Sequence, residues 1–314
     1  MKNFLTLSDL SQEDIHDLLK LAAELKPERR SGGNRPLLAG QNLGMIFQKP
    51  SLRTRISFEV AMGDLGGSAL YLSPQEIGLG ERESVADVAR VLSRFVDGIM
   101  ARVFQHGHLE ELAAAASVPV INGLSDYSHP CQALGDLLTM QEHLGRLRGV
   151  RLAYVGDGNN VCHSLLFGAG LTGMDMFAAT PPGHGPAAKV VEIASALAKD
   201  SGGRVRVVED PAVAAEGAEV LYTDVWASMG QEDEAAERET LFLPYQINRR
   251  LLERAGSEVR VMHCLPAHRG QEITDAVIDG PHSIVWDQAE NRLHTQKAVL
   301  VRLIGAGENA SRSG

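Results

Sequence analysis

The chain has 314 residues, with 40 acidic and 30 basic side chains, a formal net charge of −10 and 44% hydrophobic residues. This length suits about two domains of ordinary size, and the composition is that of a globular protein. No apolar run approaches the roughly 18 residues of a transmembrane helix, and the net acidity excludes a general affinity for nucleic acid or anionic lipid. The first residues contain no hydrophobic signal-peptide core, so we expect a cytoplasmic protein.

The pattern of apolar residues predicts an α/β fold with parallel sheets. A helix from Ser11 to Leu25 comes first, with Ser11 and Asp14 resembling a capping box, and a connection rich in glycine, proline and arginine (27–40) follows. Short apolar runs then alternate with helical patterns. The runs predicted as strands are 43–47, 69–72, 98–103 and 118–122, then 150–156, 174–180, 204–209, 219–224, 258–264 and 283–286. Such alternation is typical of βαβ units.

Two domains are predicted, with the boundary after a long helical pattern at 129–144. The first domain covers 1–144 and is completed by a C-terminal helix at about 288–314, and the second covers 145–287. In folds of this class, ligands bind beyond the carboxyl ends of the strands. Motifs that directly follow a strand are therefore the candidates for a functional site.

The segment PSLRTR follows the first predicted strand and begins a helix. Ser51 is the expected N-cap, which places Arg53 and Thr54 in the first turn, where backbone N–H groups and the helix dipole attract anions. A phosphate fits best, because arginine offers paired donors that match its oxygens. The alternative is a solvated positive patch in which Arg55 pairs with Glu59. The buried face of this helix is expected to contain Ile56, Val60 and Leu65.

Two further motifs place polar residues directly after predicted strands. In ARVFQH, Arg102 ends an apolar strand, where a charge is either paired or directed at a ligand. In SHPCQ, His129 precedes a helix that begins with Pro130, and Gln132 follows within one turn. A neutral histidine at a helix N-terminus can donate a hydrogen bond to a carbonyl group, and this position lowers its pKa. A simple capping histidine is the alternative.

The motif VGDGNN tests whether the second domain binds a dinucleotide. Dinucleotide-binding loops have a third glycine and an acidic residue at the end of the next strand, whereas this chain has Val161 and the sequence FAATPPG there. NAD is therefore not expected. Asn159 and Asn160 instead offer amide groups at a helix start, which suit a carboxylate or zwitterion, although Asn160 could also be only a helix cap.

Two strand ends in the second domain carry a carboxylate and a thiol. Asp224 ends a strand and leads into the acidic segment ASMGQEDE, which suits a cationic substrate or is simply a solvated turn. Cys264 ends another strand and is either a small buried residue or a nucleophile or proton partner. His263 and His268 lie nearby, but no third ligand has suitable spacing, so no metal site is expected.

Seven motifs in register along the whole chain resemble the ornithine carbamoyltransferases. They are SLRTR, ARVFQH, HPCQALGDLLT, VGDGNNVCHSLL, DVWASMGQEDE, HCLPAHRG and ENRLHTQKAVL. The combination of SMGQEDE with HCLP separates the ornithine enzymes of this family from the related aspartate enzymes. The resemblance implies two Rossmann-like parallel-sheet domains with the active site in the cleft between them. The first would bind carbamoyl phosphate and the second L-ornithine, giving L-citrulline and phosphate in arginine metabolism.

The resemblance also implies the residues of the site. The carbamoyl phosphate-binding residues would be Ser51, Leu52, Arg53, Thr54, Arg102, His129, Pro130, Cys131, Gln132, Cys264, Leu265 and Arg292. The residues that bind the α-amino and α-carboxylate groups of ornithine would be Asn160, Asp224, Ser228 and Met229. The catalytic residues would be Arg102, His129, Cys264 and Asp224. The family implies a homotrimer or a multiple of trimers, and no cofactor or metal is needed because carbamoyl phosphate is already activated.

The chain departs from the family pattern at two positions. Many members have threonine where this chain has Leu52, so that residue can contribute only its backbone. Members often have glutamine or histidine at the position of Gly78, a side chain lent to the phosphate site of the neighbouring subunit; Gln75 or Arg82 are the possible replacements. Carbamoyl transfer to a related amine, such as an N-acylornithine or putrescine, is the alternative activity.

Overall fold

The structure is a computed structural model that describes residues 1–227 and 235–305, except for the side chains of residues 235 and 236. Two compact units divide the chain: residues 1–138 with 291–314 form unit 1, and residues 139–290 form unit 2. The dividing points fall inside two helices. Within the described ranges, no helix is both long enough and apolar enough to cross a bilayer.

Unit 1 alternates helices and strands as the sequence predicts. Its elements up to the first dividing point are α1 (Gln12–Arg30), β1 (Asn42–Phe47), α2 (Leu52–Asp64), β2 (Ser68–Leu72), α3 (Pro74–Ile77), α4 (Val85–Leu92), β3 (Gly98–Arg102), α5 (His106–Ala115), β4 (Val120–Leu124) and α6 (Pro130–Leu144). A short 3₁₀ helix, Leu7–Asp9, precedes α1. The capping box predicted for α1 is present, with Ser11 and Asp14 bonded reciprocally through side chain and backbone.

The sheet of unit 1 is parallel, and its strand order explains where a ligand can bind. The order is β2-β1-β3-β4, so the chain moves outward from β1 to β2 and then returns to the other side of β1 to form β3. The loops after β1 and β3 therefore leave the sheet in opposite directions and open a crevice at its carboxyl edge. The segments after these strands are 48–51, which leads into α2, and 103–105, which leads into α5.

Unit 2 repeats this alternation. Its elements after the end of α6 are β5 (Arg151–Val155), α7 (Asn160–Thr172), β6 (Asp175–Ala179), α8 (Ala188–Ser201), β7 (Arg204–Val208), α9 (Pro211–Ala215), β8 (Val220–Thr223), α10 (Ala235–Phe242), α11 (Arg249–Ala255), β9 (Arg260–His263) and α12 (Asp275–Ile278). A 3₁₀ turn, Leu243–Tyr245, follows α10. The last helix, α13 (Val285–Leu300), begins in unit 2 and continues into unit 1, where a π-helical turn, Val301–Gly305, follows it.

The sheet of unit 2 is also parallel, with the order β7-β6-β5-β8-β9. Its switch point lies between β5 and β8, so the loops that begin at Gly156 and Asp224 flank the crevice of this unit. A buried apolar cluster covers one face of the sheet, with Val155, Leu221 and Val261 among its members. The predicted α/β class with two parallel sheets is confirmed.

Three details of the predicted elements are wrong. Residues 283–286 are not a strand: Ser283 forms only an isolated bridge with Val261, and α13 begins at Val285. Helix α1 continues past Pro27 to Arg30, where Arg29 and Arg30 suit the negative end of the helix dipole. On α2, the buried face contains Phe58, Ala61 and Met62, followed by the buried C-cap Leu65, whereas Ile56 is 49% exposed and Val60 is half-buried.

Candidate active site

The start of α2 has the features of a helix end that can attract an anion. Ser51 is the N-cap, as predicted, and its Oγ accepts a hydrogen bond from the Thr54 backbone N–H at 3.3 Å. The first turn contains no acidic residue, so the helix dipole is not offset by a carboxylate there. Arg53 lies in this turn and is half-buried, while Arg55 pairs with Glu59 at 2.9 Å, one turn further along. Arg55 is therefore already paired, with a carboxylate that lies beyond the first turn of α2.

Arg292 reaches the same turn from α13. Its Nη2 donates to the Thr54 Oγ1 at 2.9 Å, and both side chains are buried. Gly135 on α6 allows this approach, because a Cβ at that position would lie 3.2 Å from the Arg292 Cγ and 3.3 Å from its backbone N. Residues 238 positions apart in the sequence thus meet at one hydroxyl group.

His129 lies among the positive charges of unit 1 and is 5% exposed. Its pKa is well below the usual 6.5, first because it is buried and then because the guanidinium groups of Arg292, Arg102 and Arg53 disfavour a further positive charge. At neutral pH it is therefore an uncharged imidazole, which can donate a hydrogen bond without adding charge. The predicted low pKa is present, but burial and three arginines cause it.

Four other predicted residues of unit 1 lie on α6 or β3. Arg102 is the last residue of β3 and is 8% exposed. Gln132 is 1% exposed, and its Nε2 donates to the Asp136 Oδ1 at 2.8 Å. Cys131 donates to the Asn122 carbonyl, and burial raises its pKa to about 12, so the thiol stays protonated and chemically inert. Pro130 is the first residue of α6, as predicted.

Asp224 is the centre of the polar network in unit 2. Its Oδ1 accepts hydrogen bonds from the Cys264 thiol at 2.8 Å and from the Val225 backbone N–H at 2.8 Å. Its Oδ2 accepts from the Asn159 Nδ2 at 2.8 Å. Because Asp224 is only 6% exposed, these bonds fix a buried carboxylate at the carboxyl edge of the sheet. The two strand-end residues that the sequence singled out, Asp224 and Cys264, are in direct contact.

The helix-cap interpretation of Asn160 is wrong, because Asn159 caps α7. The Asn159 Oδ1 accepts from the backbone N–H groups of Val161 and Cys162 at 3.0 and 3.2 Å, and Asn160 is the first helical residue. The same Asn159 amide donates to Asp224, so one residue both caps the helix and orients the carboxylate. The cap position could have been recognised in VGDGNN, since asparagine is preferred there, but the bond to Asp224 joins residues 65 apart.

The turn after β9 is held by a buried histidine and glutamate. The His263 Nδ1 accepts from the Leu265 backbone N–H at 2.8 Å, so its proton is on Nε2, which lies 3.0 Å from the Glu272 Oε1. Leu265 has a φ of 58°, an uncommon value for a residue with a side chain. The hydrogen bond from the Leu265 backbone N–H to His263 is one of the contacts that stabilise this conformation.

The ligand atoms of Asp224, His263 and Cys264 lie within 4.8 Å of one another, a spacing that a metal ion could accept. However, both ring nitrogens of His263 have hydrogen-bond partners, and the thiol of Cys264 donates to Asp224. A metal would have to break these bonds. The expectation that the protein needs no metal stays a prediction.

Two family models together match nearly the whole chain. Residues 2–142 match the family model described as the aspartate/ornithine carbamoyltransferase carbamoyl-P binding domain, and residues 148–303 match that of the Asp/Orn binding domain. An ornithine carbamoyltransferase of Pyrococcus horikoshii is 55% identical over 304 residues, covering 97% of this chain and 96% of the relative. The chain belongs to the aspartate/ornithine carbamoyltransferase family.

Solved structures of this family superpose closely on the chain. The ornithine carbamoyltransferase from Pyrococcus furiosus matches with a TM-score of 0.95 and 54% identity, covering 97% of each chain. The anabolic ornithine carbamoyltransferase from Campylobacter jejuni matches with a TM-score of 0.92 and 38% identity, covering 96% of this chain and 99% of that structure. The resemblance identified from seven motifs is confirmed.

The two positions at which the chain departs from the family pattern, Leu52 and Gly78, lie at helix ends in unit 1. Leu52 is 72% exposed at the first position of α2, so its side chain points away from the hydroxyl of Thr54. Gly78 ends α3 with a φ of 54°, and a Cβ there would lie 2.8 Å from the Arg82 Cβ, which explains a glycine at this position. The Arg82 Nη1 donates to the Glu76 carbonyl at 3.2 Å. Ser228 and Met229 lie outside the described residues.

A buried ion pair that the sequence does not reveal lies next to the loop that caps α7. Arg238 on α10 is 5% exposed, and its Nη2 lies 2.8 Å from the Asp157 Oδ2. Its Nε donates to the Trp226 carbonyl at 2.6 Å, and its Nη1 lies 3.3 Å from the His184 Nδ1. Arg238 thus ties α10 to the loops after β5 and β8. No local signal could have found this pair, because in sequence Arg238 is one charge in the acidic stretch AAERET.

Proposed function

We propose that this protein is an ornithine carbamoyltransferase, which transfers the carbamoyl group of carbamoyl phosphate to the δ-amine of L-ornithine and releases L-citrulline and phosphate. The observation that carries the proposal is the buried His129, whose pKa is held low by burial and by the nearby charges of Arg292, Arg102 and Arg53. Such a cluster combines positive charge for a phosphate with a neutral donor for a carbonyl oxygen. The near-full-length similarity to ornithine carbamoyltransferases supports the same reaction.

Unit 1 would bind carbamoyl phosphate. The phosphate oxygens would accept hydrogen bonds from Arg53, from the hydroxyl of Ser51 and from backbone N–H groups at the start of α2, with the dipole of this helix adding to the attraction. The carbonyl oxygen would accept from Thr54, Arg102 and His129. Arg292 already orients the Thr54 hydroxyl through its 2.9 Å bond.

Unit 2 would bind ornithine. Asn160, Ser228 and Met229 would contact its α-amino and α-carboxylate groups, as the family resemblance implies. Asp224 presents a buried carboxylate, which favours a cationic amino acid over a second carboxylate such as that of aspartate. A free alkylamine is largely protonated at neutral pH, so the δ-amine must lose a proton before it can attack. Cys264, bonded to Asp224, would position the amine and favour that loss.

The chemical step forms one bond and breaks one. The neutral δ-amine attacks the carbamoyl carbon, the new C–N bond forms, and negative charge grows on the carbonyl oxygen, where Arg102 and His129 stabilise it. The C–O bond to phosphate then breaks and its electron pair leaves on the phosphate oxygen. The nitrogen loses a second proton, which the departing phosphate takes up to become hydrogen phosphate. Removing one donor to such an oxygen typically lowers the rate by ~100–1000-fold. The chemistry needs no cofactor, because the phosphate is already a good leaving group.

We further propose that the two units are the two substrate-binding domains and that the chain assembles as a homotrimer or a multiple of trimers. Unit 1 supports assembly, because α2 exposes Leu52 and Ile56, and the edge strand β2 exposes Leu70, at 72, 49 and 49%. Exposed apolar side chains in one region commonly mark an interface. The cytoplasmic location and the lending of a side chain between subunits stay predictions.

A colorimetric citrulline assay tests the activity. The purified protein is given carbamoyl phosphate with ornithine, N-acetylornithine, putrescine or aspartate in separate reactions, and the carbamoylated product is measured. We expect product from ornithine alone. Product from acetylornithine, putrescine or aspartate but not from ornithine would replace the proposal by one of its alternatives, and no product from any amine would refute carbamoyl transfer to these amines.

A further inference from the structure

The Gln132 side chain is held by a second residue of α6 that no family motif assigns a role. Its Nε2 donates to the Asp136 Oδ1 at 2.8 Å, one helical turn further on. Gln132 is 1% exposed and Asp136 is 0% exposed. A carboxylate only accepts hydrogen bonds when ionised, so the amide must turn its NH₂ group toward Asp136 and its oxygen the other way.

The oxygen of that amide is a buried acceptor. In the part of the chain that the structure describes, the Gln132 Oε1 has no hydrogen-bond partner. Buried polar atoms of native proteins nearly always have a partner, so an acceptor in this position indicates a donor that binds there.

Gln132 lies on the face of α6 that is next to Arg292. Gln132, Gly135 and Asp136 are three and four residues apart and therefore lie on one face of the helix. Gly135 is the residue that contacts Arg292, which in turn bonds to Thr54. His129 lies directly before the helix, and its carbonyl accepts the Gln132 backbone N–H at 3.1 Å.

We propose that Asp136 is a positioning residue that locks the Gln132 amide so that its Oε1 accepts a hydrogen bond from the NH₂ group of carbamoyl phosphate, and thereby selects this substrate against acetyl phosphate. The inference rests on the proposed function. The two acyl phosphates have the same phosphate and carbonyl groups and nearly the same shape, and they differ only in NH₂ against CH₃. A fixed buried acceptor bonds the first and is left without a partner by the second.

Without Asp136 the amide is no longer restricted. If it turns over, its own NH₂ group faces the NH₂ of the substrate, and two donors oppose each other. Removing Asp136 therefore weakens the binding of carbamoyl phosphate, whereas the affinity for acetyl phosphate stays the same.

The experiment measures selectivity, defined as kcat/KM for carbamoyl phosphate multiplied by the inhibition constant of acetyl phosphate, with ornithine saturating. The variants are Asp136→Asn, Gln132→Met and the double variant, because methionine keeps the length of glutamine but has no amide. We expect each single variant to lose about tenfold or more in selectivity, the effect of one ordinary hydrogen bond. Since Asp136 acts through Gln132, we expect the double variant to lose no more than Gln132→Met alone.

The control is Asp64→Asn, which removes a carboxylate of unit 1 that bonds to Lys297 and not to Gln132. Its selectivity should match the wild type even if its stability falls. The positioning role would be overturned if Asp136→Asn weakened the binding of both acyl phosphates equally. Additive losses of selectivity in the double variant would also overturn it. If Asp136→Asn does not fold, unchanged selectivity in Gln132→Met still refutes it. Wild-type protein that makes no citrulline would instead refute the proposed function.

Discussion

At the scale of single residues, the surroundings of each side chain decide what it can do. Three cysteines illustrate this: Cys131 and Cys162 are buried thiols whose pKa is raised by burial, whereas Cys264 contacts the carboxylate of Asp224. His129 is a histidine kept neutral by burial and by neighbouring arginines. Identical residue types thus have different chemistry according to what the fold places beside them.

Cys264→Ser tests whether the thiol takes part in amine activation. We expect the KM for ornithine to rise roughly tenfold and the pH–rate profile to shift, because the serine hydroxyl is shorter and alters the hydrogen bond to Asp224. Steady-state kinetics from pH 6 to 9.5 measure both. Cys162→Ala is the matched control, since Cys162 is a buried thiol of α7, and it should leave the ornithine KM unchanged. An unaltered profile in Cys264→Ser would remove the thiol from the mechanism.

His129 should make the protein less stable in mild acid. In the unfolded chain its pKa returns to about 6.5, so below that pH the unfolded state binds a proton that the folded state excludes. The contribution to stability is therefore complete above pH 6.5 and is lost as the pH falls toward the lower folded-state pKa, at up to about 1.4 kcal/mol per pH unit.

Urea unfolding of the wild type and His129→Asn between pH 7.5 and 5 measures this effect. Over this range, we expect the free energy of unfolding of the wild type to fall more than that of the variant as the pH is lowered. Parallel curves would mean that His129 is protonated in the folded state and would contradict the neutral donor assigned to it.

At the scale of elements, close packing of helices sets the geometry of the site. Helix α13 contributes Arg292 only because α6 has a glycine at the crossing, and α10 is fixed by the buried Arg238–Asp157 pair. The predicted helix over 129–144 is confirmed, but its two roles were not visible in the pattern. It holds the Gln132 side chain against Asp136, and it leaves space at Gly135 for Arg292 of α13.

Gly135→Ala should weaken carbamoyl phosphate binding. The new methyl group would lie 3.2 Å from the Arg292 Cγ and 3.3 Å from its backbone N, so α13 must shift and the bond to Thr54 is strained. Overpacking of this kind costs about 1–3 kcal/mol in stability. We expect about 1.4 kcal/mol of it to fall on carbamoyl phosphate binding, which corresponds to a rise of about tenfold in its KM. Gly107→Ala on α5 is the control, because a Cβ there meets nothing within 4 Å. Equal effects of the two substitutions on this KM would show that the packing of α13 against α6 at Gly135 does not control carbamoyl phosphate binding.

Arg238→Met should destabilise unit 2. It leaves the Asp157 carboxylate buried without its guanidinium, and breaking a buried pair in this way typically costs about 3–5 kcal/mol. Thermal unfolding of the variant measures the loss. Arg249→Met, which breaks the exposed pair with Glu253 on α11, should change the melting temperature little. Similar melting temperatures for the two variants would show that the buried pair contributes no more than a surface one.

At the scale of the whole molecule, the exposed apolar residues of unit 1 bear on the proposed assembly. Ile56 was expected in the core by its spacing, yet it lies on the outer face of α2 with Leu52. Helical periodicity reports which residues share a face, but not whether that face meets the same chain or another copy.

Ile56→Lys should disrupt the proposed trimer. A lysine on this face places a charge in the apolar interface, so the mass in solution should fall toward the 33.8 kDa of one chain. Sedimentation equilibrium measures it. Val207→Lys is the control, because Val207 is 41% exposed on the edge strand of the other sheet and should leave the mass unchanged. An Ile56→Lys protein of wild-type mass would exclude this face as the interface.

The sequence by itself determined the α/β class, nearly all the strands, the N-caps of α1 and α2 and the family, because these depend on spacing within about 20 residues or on motifs with fixed local order. It failed at residues 283–286, where three consecutive apolar residues after a serine fit either a strand or a helix start. Only the tertiary structure decided which side chains act together. Arg292 with Thr54, Asn159 with Asp224, and Arg238 with Asp157 are each separated by 65 residues or more. Such contacts arise from the order of strands in a sheet and from the crossing of helices, which no local pattern encodes.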